Sequence, residues 1–263
     1  MKRIVLYFLT LSSLFAGCNT DTNNNSIHWE NFTLSSFEKI DMTYKRGETV
    51  SPDSMDMHRP HIMRILSDRL IAIKDDKIKG KLLWILNLDN KKYIQTLYKG
   101  KSSTESNYIE NMWTSDSSLF CCDDVGKILK IECNRQTMET NISLATKISP
   151  QSINATPMEM DKYLVEHIYG RYQVTNLNGD VLDTIGVFPT DQIPKEIETP
   201  NLACQVEMAT APNKKHIICA NRYWNKLEIY SGNGETEHLL SGPIKIDSKI
   251  TKKELSGNAY TIK

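Results

Sequence analysis

From residue 61 onward, short apolar runs alternate with clusters of Asn, Asp, Gly and Pro, and no stretch carries a sustained helical period. That pattern predicts an all-β chain. One unit recurs along it: an apolar strand, a tight turn containing Asn, Asp or Gly, a second strand, and often a closing Gly. The copies span residues 82–100, 128–144, 172–186 and 227–242, with turns centred near residues 90, 135, 178 and 233. Another pair of strands precedes each hairpin, for instance 163–168 before the third and 217–220 before the fourth. Four strands per repeat, recurring every ~40 to 50 residues, is the mark of a β-propeller of four-stranded blades. Strands inside stacked blades meet water on neither face. Continuous apolar runs such as Leu82-Leu83-Trp84-Ile85-Leu86 then make sense where strict alternation would not. A β-sandwich also spaces its strands evenly and is the competing architecture.

The N-terminus follows a different pattern. Met1-Lys2-Arg3 gives a short positive region and residues 4–15 an apolar run of signal-peptide length. The run is shorter than the ~20 residues that span a bilayer as a helix, and polar residues 19–26 follow at once. Phe15-Ala16-Gly17-Cys18 resembles the lipobox of bacterial lipoproteins, with Phe15 where leucine is more usual. The expectation is removal of residues 1–17 and lipid modification of Cys18. One acyl chain holds a protein only marginally, so the multiply acylated cysteine of this class implies permanent membrane attachment. Residues 18–29 read as a flexible tether, and 30–263 as the propeller domain.

A family resemblance rests on two passages. Residues 171–182, containing Tyr172-Gln173-Val174-Thr175-Asn176-Leu177-Asn178-Gly179, lead to Ile185-Gly186-Val187-Phe188-Pro189. Ala209-Thr210-Ala211-Pro212-Asn213-Lys214-Lys215 leads through Ala220-Asn221-Arg222-Tyr223 to Leu227-Glu228-Ile229-Tyr230. Together they resemble consecutive blades of the TolB-like six-bladed propeller lipoproteins of Bacteroides and relatives. The resemblance covers roughly residues 30–263 and concerns architecture. It implies six blades, whereas four are recognisable here, with residues 244–263 as the start of a fifth. The expectation is a chain truncated at its C-terminus relative to that family; a smaller closed propeller is the rival.

Charge changes the picture by exclusion. Lys plus Arg and Asp plus Glu number 32 each, so no net field favours nucleic acid or another polyanion. Beyond Cys18 there are five cysteines, an odd number. Cys204 and Cys219 flank the Pro212-Asn213 turn almost symmetrically and would oppose each other on one hairpin, which leaves a bridge open. Their apolar settings favour reduced, core-packed thiols.

Candidate chemistry is sparse. His58-Arg59-Pro60-His61 holds two histidines, but Pro60 argues against a helical zinc pair and no second ligand pair follows. Asp75-Asp76 and Asp123-Asp124 could face calcium, yet neither fits the alternating calcium loop, and aspartate in turns bonds its own backbone. There is no nucleophile elbow and no phosphate loop. No catalytic residue, metal site or cofactor is therefore expected. Trp29, Trp84, Trp113 and Trp224 suggest either blade packing or a glycan-stacking platform. Asp53-Ser54-Met55 and Asp183-Thr184-Ile185 resemble the short O-glycosylation signal of exported Bacteroides proteins, with Ser54 the more accessible candidate. The sequence reads best as an envelope lipoprotein, in the outer membrane, that binds a protein or glycan partner through propeller loops without catalysis. A propeller lyase or hydrolase acting on sugars or lactones, and a nonfunctional truncated fragment, are the alternatives.

Overall fold

The computed structural model describes residues 29–31, 57, 59–76, 79–168, 170–188, 204–242, 250–252 and 260–262. Every regular element among them is a β-strand. The first is a short strand, β1 (Glu30–Asn31). Blade 1 comprises β2 (Pro60–Ser67), β3 (Leu70–Asp75), β4 (Lys81–Asn87) and β5 (Tyr93–Tyr98). Blade 2 comprises β6 (Ile109–Ser115), β7 (Ser118–Asp123), β8 (Lys127–Cys133) and β9 (Thr140–Lys147). Blade 3 comprises β10 (Ser152–Pro157), β11 (Tyr163–His167), β12 (Tyr172–Thr175) and β13 (Val181–Ile185). Blade 4 comprises β14 (Val206–Thr210), β15 (His216–Asn221), β16 (Lys226–Ser231) and β17 (Thr236–Ser241). Each blade is an antiparallel meander in chain order, and the four form a four-bladed β-propeller. Strand β1 adds in parallel to the outer edge of blade 4, and β18 (Ile250–Lys252) pairs with β19 (Tyr260–Ile262) as a separate hairpin.

The recurring hairpins of the sequence are the third and fourth strands of each blade, and their turns have a local cause. Asn87, Asn134 and Asn176 each close the turn after a third strand by accepting, at 2.9 Å, the N–H two residues on. In blade 3 the turn also needs Gly179. Its φ is +87°, and a Cβ there would lie 1.8 Å from the Lys147 carbonyl oxygen of blade 2. The residue thus serves both the turn and the close approach of two blades.

Packing joins the blades in series. Leu83, Ile85, Met112, Leu119 and Leu129 belong to the core between blades 1 and 2. Trp113, Ile128, Tyr163 and Val165 fill the space between blades 2 and 3. Leu164, Tyr172, Met208, Cys219 and Tyr230 do so between blades 3 and 4. Each fully buried side chain of this size stabilises by roughly 1.5–3 kcal/mol. Among the described residues no such cluster joins blade 4 to blade 1. Met63 and Ile65 on β2 are 58% and 63% exposed. On blade 4, alternation and register put Ala209, Ile218 and Ile229 on the face opposite the buried Met208 and Cys219.

The first strands line the central channel, since β6 contacts both β2 and β10, and β10 contacts β14. Three of them are bulged. The register slips between Pro60 and Ile62, between Ile109 and Asn111, and between Ser152 and Asn154. An extra residue leaves the ladder and re-aims the side chains around it. The residues displaced are His61, Glu110 and Ile153.

Candidate functional site

Side chains of one first strand reach the backbone of the next. Arg64 on β2 donates from Nε to the Met112 carbonyl at 2.6 Å. Asn111 on β6 donates from Nδ2 to the Ala155 carbonyl at 3.0 Å and to the Met208 carbonyl at 3.4 Å. Asn154 on β10 donates from Nδ2 to the Val206 carbonyl at 3.3 Å. Buried carbonyls that lack partners are costly, so these bonds fix the inner strands against one another. The position in blade 4 that follows Val206 is Glu207, whose ionised carboxylate accepts and cannot donate.

Two clefts open on the channel, and Arg64 lines both. The first, of about 450 Å³, is formed at the turn ends of the blades by Trp113, Ser115, Asp116, Pro157, Asn213 and Lys214. Its walls are tight turns on rigid strands. Ser115 faces Ser118 across a two-residue loop in which Asp116 and Ser117 both have positive φ, 49° and 60°, the conformation that suits the twist of a hairpin. In the other turn Asn213 Oδ1 accepts the Lys215 N–H at 3.0 Å, and Lys214 has φ 58°. Trp113 is stacked on Phe120, with ring centroids 5.8 Å apart, and so is fixed at the cleft wall.

The second cleft, of about 590 Å³, lies between first strands of blades 1, 2 and 4. Ile62, Met63, Met208, Ala209 and Ile218 give it apolar walls, and His61, Arg64, Glu110, Glu207 and Arg222 bring charge or titratable groups. His61 and Glu110 are the bulge residues. Arg222 donates from Nε to Glu207 Oε1 at 2.8 Å and from Nη1 to Gln205 Oε1 at 3.1 Å. Burial pushes the Glu110 carboxyl above its ordinary range, against the pull of Lys74 and Arg222.

A polar network centred on the buried Arg171 and Glu228 joins blades 3 and 4. Glu228 accepts from Arg171 at 2.5 Å, Tyr172 Oη at 3.1 Å, Tyr230 Oη at 2.7 Å and Asn221 Nδ2 at 3.1 Å. Arg171 also donates to the Cys204 carbonyl at 2.5 Å. Beside it, Glu166 Oε1 accepts the Val206 N–H at 3.2 Å. Burial pushes the Glu166 carboxyl up to about 8, against the pull of Arg171. No reacting group faces solvent here, and the network is a clamp between blades.

The residues singled out by sequence are dispersed. Cys18, Ser54, His28 and His58 lie outside the described residues. His61 stands 3.9 Å from Asp76, whose other oxygen pairs with Lys74 at 3.0 Å. Asp75 and Asp123 are the last residues of β3 and β7, and their carboxylates bind nearby backbone: Asp75 accepts the Arg59 N–H at 2.9 Å, and Asp123 Oδ1 accepts those of Val125 and Lys127 at 3.1 and 2.6 Å. Among the described residues no three His, Cys, Asp or Glu side chains converge as a metal site. Trp84, Trp113 and Trp224 are buried in separate places and make no common platform; the Lys226 ammonium sits 4.5 Å from the Trp29 ring. Thr184 lies on the exposed outer strand of blade 3. All five described cysteines are free thiols. The hairpin expected to bring Cys204 and Cys219 together pairs Cys219 with Met208 instead, four positions from Cys204, or ~13 Å along a strand. Arg64, Glu110, Asn111, Glu207 and Arg222 were not anticipated. The one sequence signal for them is polar residues interrupting strands of otherwise buried character, as in Ile109-Glu110-Asn111-Met112-Trp113.

No protein-family model matches the chain, and no curated protein matches it. Similar folds occur among solved structures. A Bacteroides fragilis protein described as exported has a TM-score of 0.47 at 13% identity, over 73% of this chain and 53% of its own. A Bacteroides thetaiotaomicron protein of unknown function has a TM-score of 0.48 at 6% identity, over 70% and 44%. The extracellular domain of a hybrid two-component system of the same species has a TM-score of 0.47 at 16% identity, over 83% and 28%. The chain thus spans about half, or less, of the length of these similar structures.

Proposed function

We propose that this chain is an envelope-anchored, noncatalytic binding protein that takes a protein or glycan partner at the channel mouth formed by the β6–β7 and β14–β15 turns. The observation that carries the reading is the 450 Å³ cleft there. It falls within the size range of ligand clefts, and it presents Asp116, Asn213 and Lys214 beside Trp113 and Pro157 on turns held by rigid blades. Loops on a fixed scaffold are the usual seat of recognition. Polar groups around an aromatic wall suit a sugar hydroxyl array or a polar peptide surface.

The N-terminal pattern supports attachment through a lipid on Cys18, with the propeller held off the outer membrane by the residues that follow, and Ser54 as a site of O-glycosylation. The experiment pairs a glycan array with affinity capture from solubilised envelopes, using the wild-type protein and the double variant Asp116→Ala/Lys214→Ala. Binding of a defined glycan or protein that is lost in the folded double variant is the expected result. Equal binding by both proteins rejects the mouth as the site.

A further inference from the structure

We infer that the ligand of the first cleft is an acidic sugar, a uronate, whose carboxylate is held by Arg64 on β2 and Lys214 in the β14–β15 turn. This rests on the recognition proposed for that mouth and names the ligand chemistry that its charges select.

Arg64 departs from the rule that the other buried cations follow. Among the described residues, Lys74, Lys127 and Arg171 are buried, and each has its counter-ion: Asp76 at 3.0 Å, Asp123 at 3.3 Å and Glu228 at 2.5 Å respectively. Arg64 is half-buried, and no described carboxylate lies within 4.0 Å of it. Its donors meet neutral acceptors only. They reach the carbonyls of Met112 and Met63 at 2.6 and 2.9 Å, and Asn111 Oδ1 at 3.5 Å, an oxygen that already accepts the Met112 N–H at 2.8 Å. Those contacts satisfy hydrogen bonds without neutralising the charge, and they leave one N–H on each terminal nitrogen of the guanidinium. Glu207, the nearby acid that acts on Arg64, is drawn to Arg222 at 2.8 Å. Burial accordingly pushes the Arg64 guanidinium below its ordinary range. A partly desolvated cation without a counter-ion costs free energy until an anion reaches it.

Arg64 lines both clefts, and the charges around it decide which of them an anion enters. In the second, Glu110 and Glu207 both line the wall and repel it. In the first, Arg64 and Lys214 are accompanied by one acid, Asp116, which is exposed and accepts from Ser115 Oγ at 3.2 Å. Lys214 makes no ion pair with a described residue. A carboxylate there gains two cations, one of them a guanidinium whose fork matches its planar oxygens. Asp116 then selects what carries the carboxylate. It repels the further negative charges of an acidic peptide segment, whereas a sugar hydroxyl donates to it. Asn213 Oδ1 is taken by the Lys215 N–H, so its amide nitrogen is left to donate to a second hydroxyl. One carboxylate flanked by hydroxyls is the pattern of a uronate ring.

Calorimetric titration of the full chain in detergent at low salt tests this with methyl glucuronide and methyl galacturonide, the matching neutral methyl glucoside and galactoside, and N-acetyl-aspartate methylamide, which offers the carboxylate on a peptide unit. At least one uronide binds, about tenfold or more tighter than its neutral counterpart and than the aspartate compound, and its affinity falls as salt is added. Arg64→Gln, still able to donate to the Met112 carbonyl, weakens the uronide about tenfold or more. Lys214→Gln weakens it about three- to fivefold. Asp116→Asn keeps the acceptor, removes a repelling charge and does not weaken it. If Arg64→Gln does not fold, Lys214→Gln and the salt dependence decide. No heat from either uronide with folded protein, equal binding of the neutral sugars, equal or tighter binding of the aspartate compound, or unaltered affinity in the cation variant that folds overturns the inference. Capture of a neutral glycan or of a protein that is lost in Asp116→Ala/Lys214→Ala leaves the mouth's role standing and defeats the uronate alone.

Discussion

The Asn111 carboxamide donates to the Ala155 carbonyl at 3.0 Å while its Nδ2 also lies 3.4 Å from the Met208 carbonyl, so one side chain of blade 2 ties itself to blades 3 and 4. Removing it strands two buried carbonyls. Asn111→Ala is expected to destabilise by about 1–3 kcal/mol, read as a lowered midpoint in urea with an unchanged slope. Asn111→Asp keeps the shape but substitutes an acceptor for the donor, and is expected to cost more than alanine.

The Arg171–Glu228 pair obeys a different rule, because both partners are buried. Arg171→Met alone leaves the Glu228 carboxylate without its counter-charge and should cost about 3–5 kcal/mol. Arg171→Met/Glu228→Gln leaves no unpaired charge and should cost less than the single variant. A double-mutant cycle by chemical denaturation checks the order of the two.

Glu166 makes stability depend on pH in a direction opposite to that of an ordinary salt-bridged carboxylate. Its folded value is raised to about 8 from 4.5, so across that interval the folded chain keeps a proton that the unfolded chain has lost. Stability from this residue is greatest below the unfolded value and declines as pH rises toward the folded one. Glu166→Gln, neutral at every pH and still able to accept the Val206 N–H, should flatten that decline and be the more stable protein at pH above the interval. Denaturation midpoints measured across the interval for both proteins decide it.

Two glycines with similar backbone angles should respond differently to alanine. Gly80 has φ +76° and open space around its Cβ position, whereas at Gly179 the new atom would collide with the Lys147 carbonyl. Gly80→Ala should carry only the left-handed backbone cost of about 1–2 kcal/mol. Gly179→Ala should exceed it, since blades 2 and 3 must part as well. Thermal melts of the two variants provide the comparison.

The turns were legible because their chemistry is local. Asn87, Asn134 and Asn176 mark the ends of the third strands of blades 1 to 3 in the sequence as clearly as in the structure, and Ser231-Gly232-Asn233-Gly234 marks that of blade 4. The second cleft was not legible. His61 and Glu110 reach it through bulges, and a bulge arises from how neighbouring strands pair, a property that no single strand displays. Glu228 shows the same limit from the other side. In Leu227-Glu228-Ile229-Tyr230, simple alternation would point the charge to water, yet Glu228 is 0% exposed. Arg171 lies 57 residues away, and only the packing of blade 3 on blade 4 brings it there. The misplacement of Cys204 opposite Cys219 arose from the turn: the Ala211-to-His216 closure sets Met208 against Cys219, and a hairpin's register is fixed by its turn geometry.

The most direct measurement of the central claim, recognition at the mouth formed by the β6–β7 and β14–β15 turns, is site-specific photo-crosslinking in native envelopes. A photoreactive residue is placed at Asn213 in the cleft or at Leu182, which is 52% exposed on the outer strand of blade 3. A defined protein or glycan adduct from position 213, absent from position 182, is the predicted result. The same adducts from both positions, or adducts from position 182 alone, would contradict it.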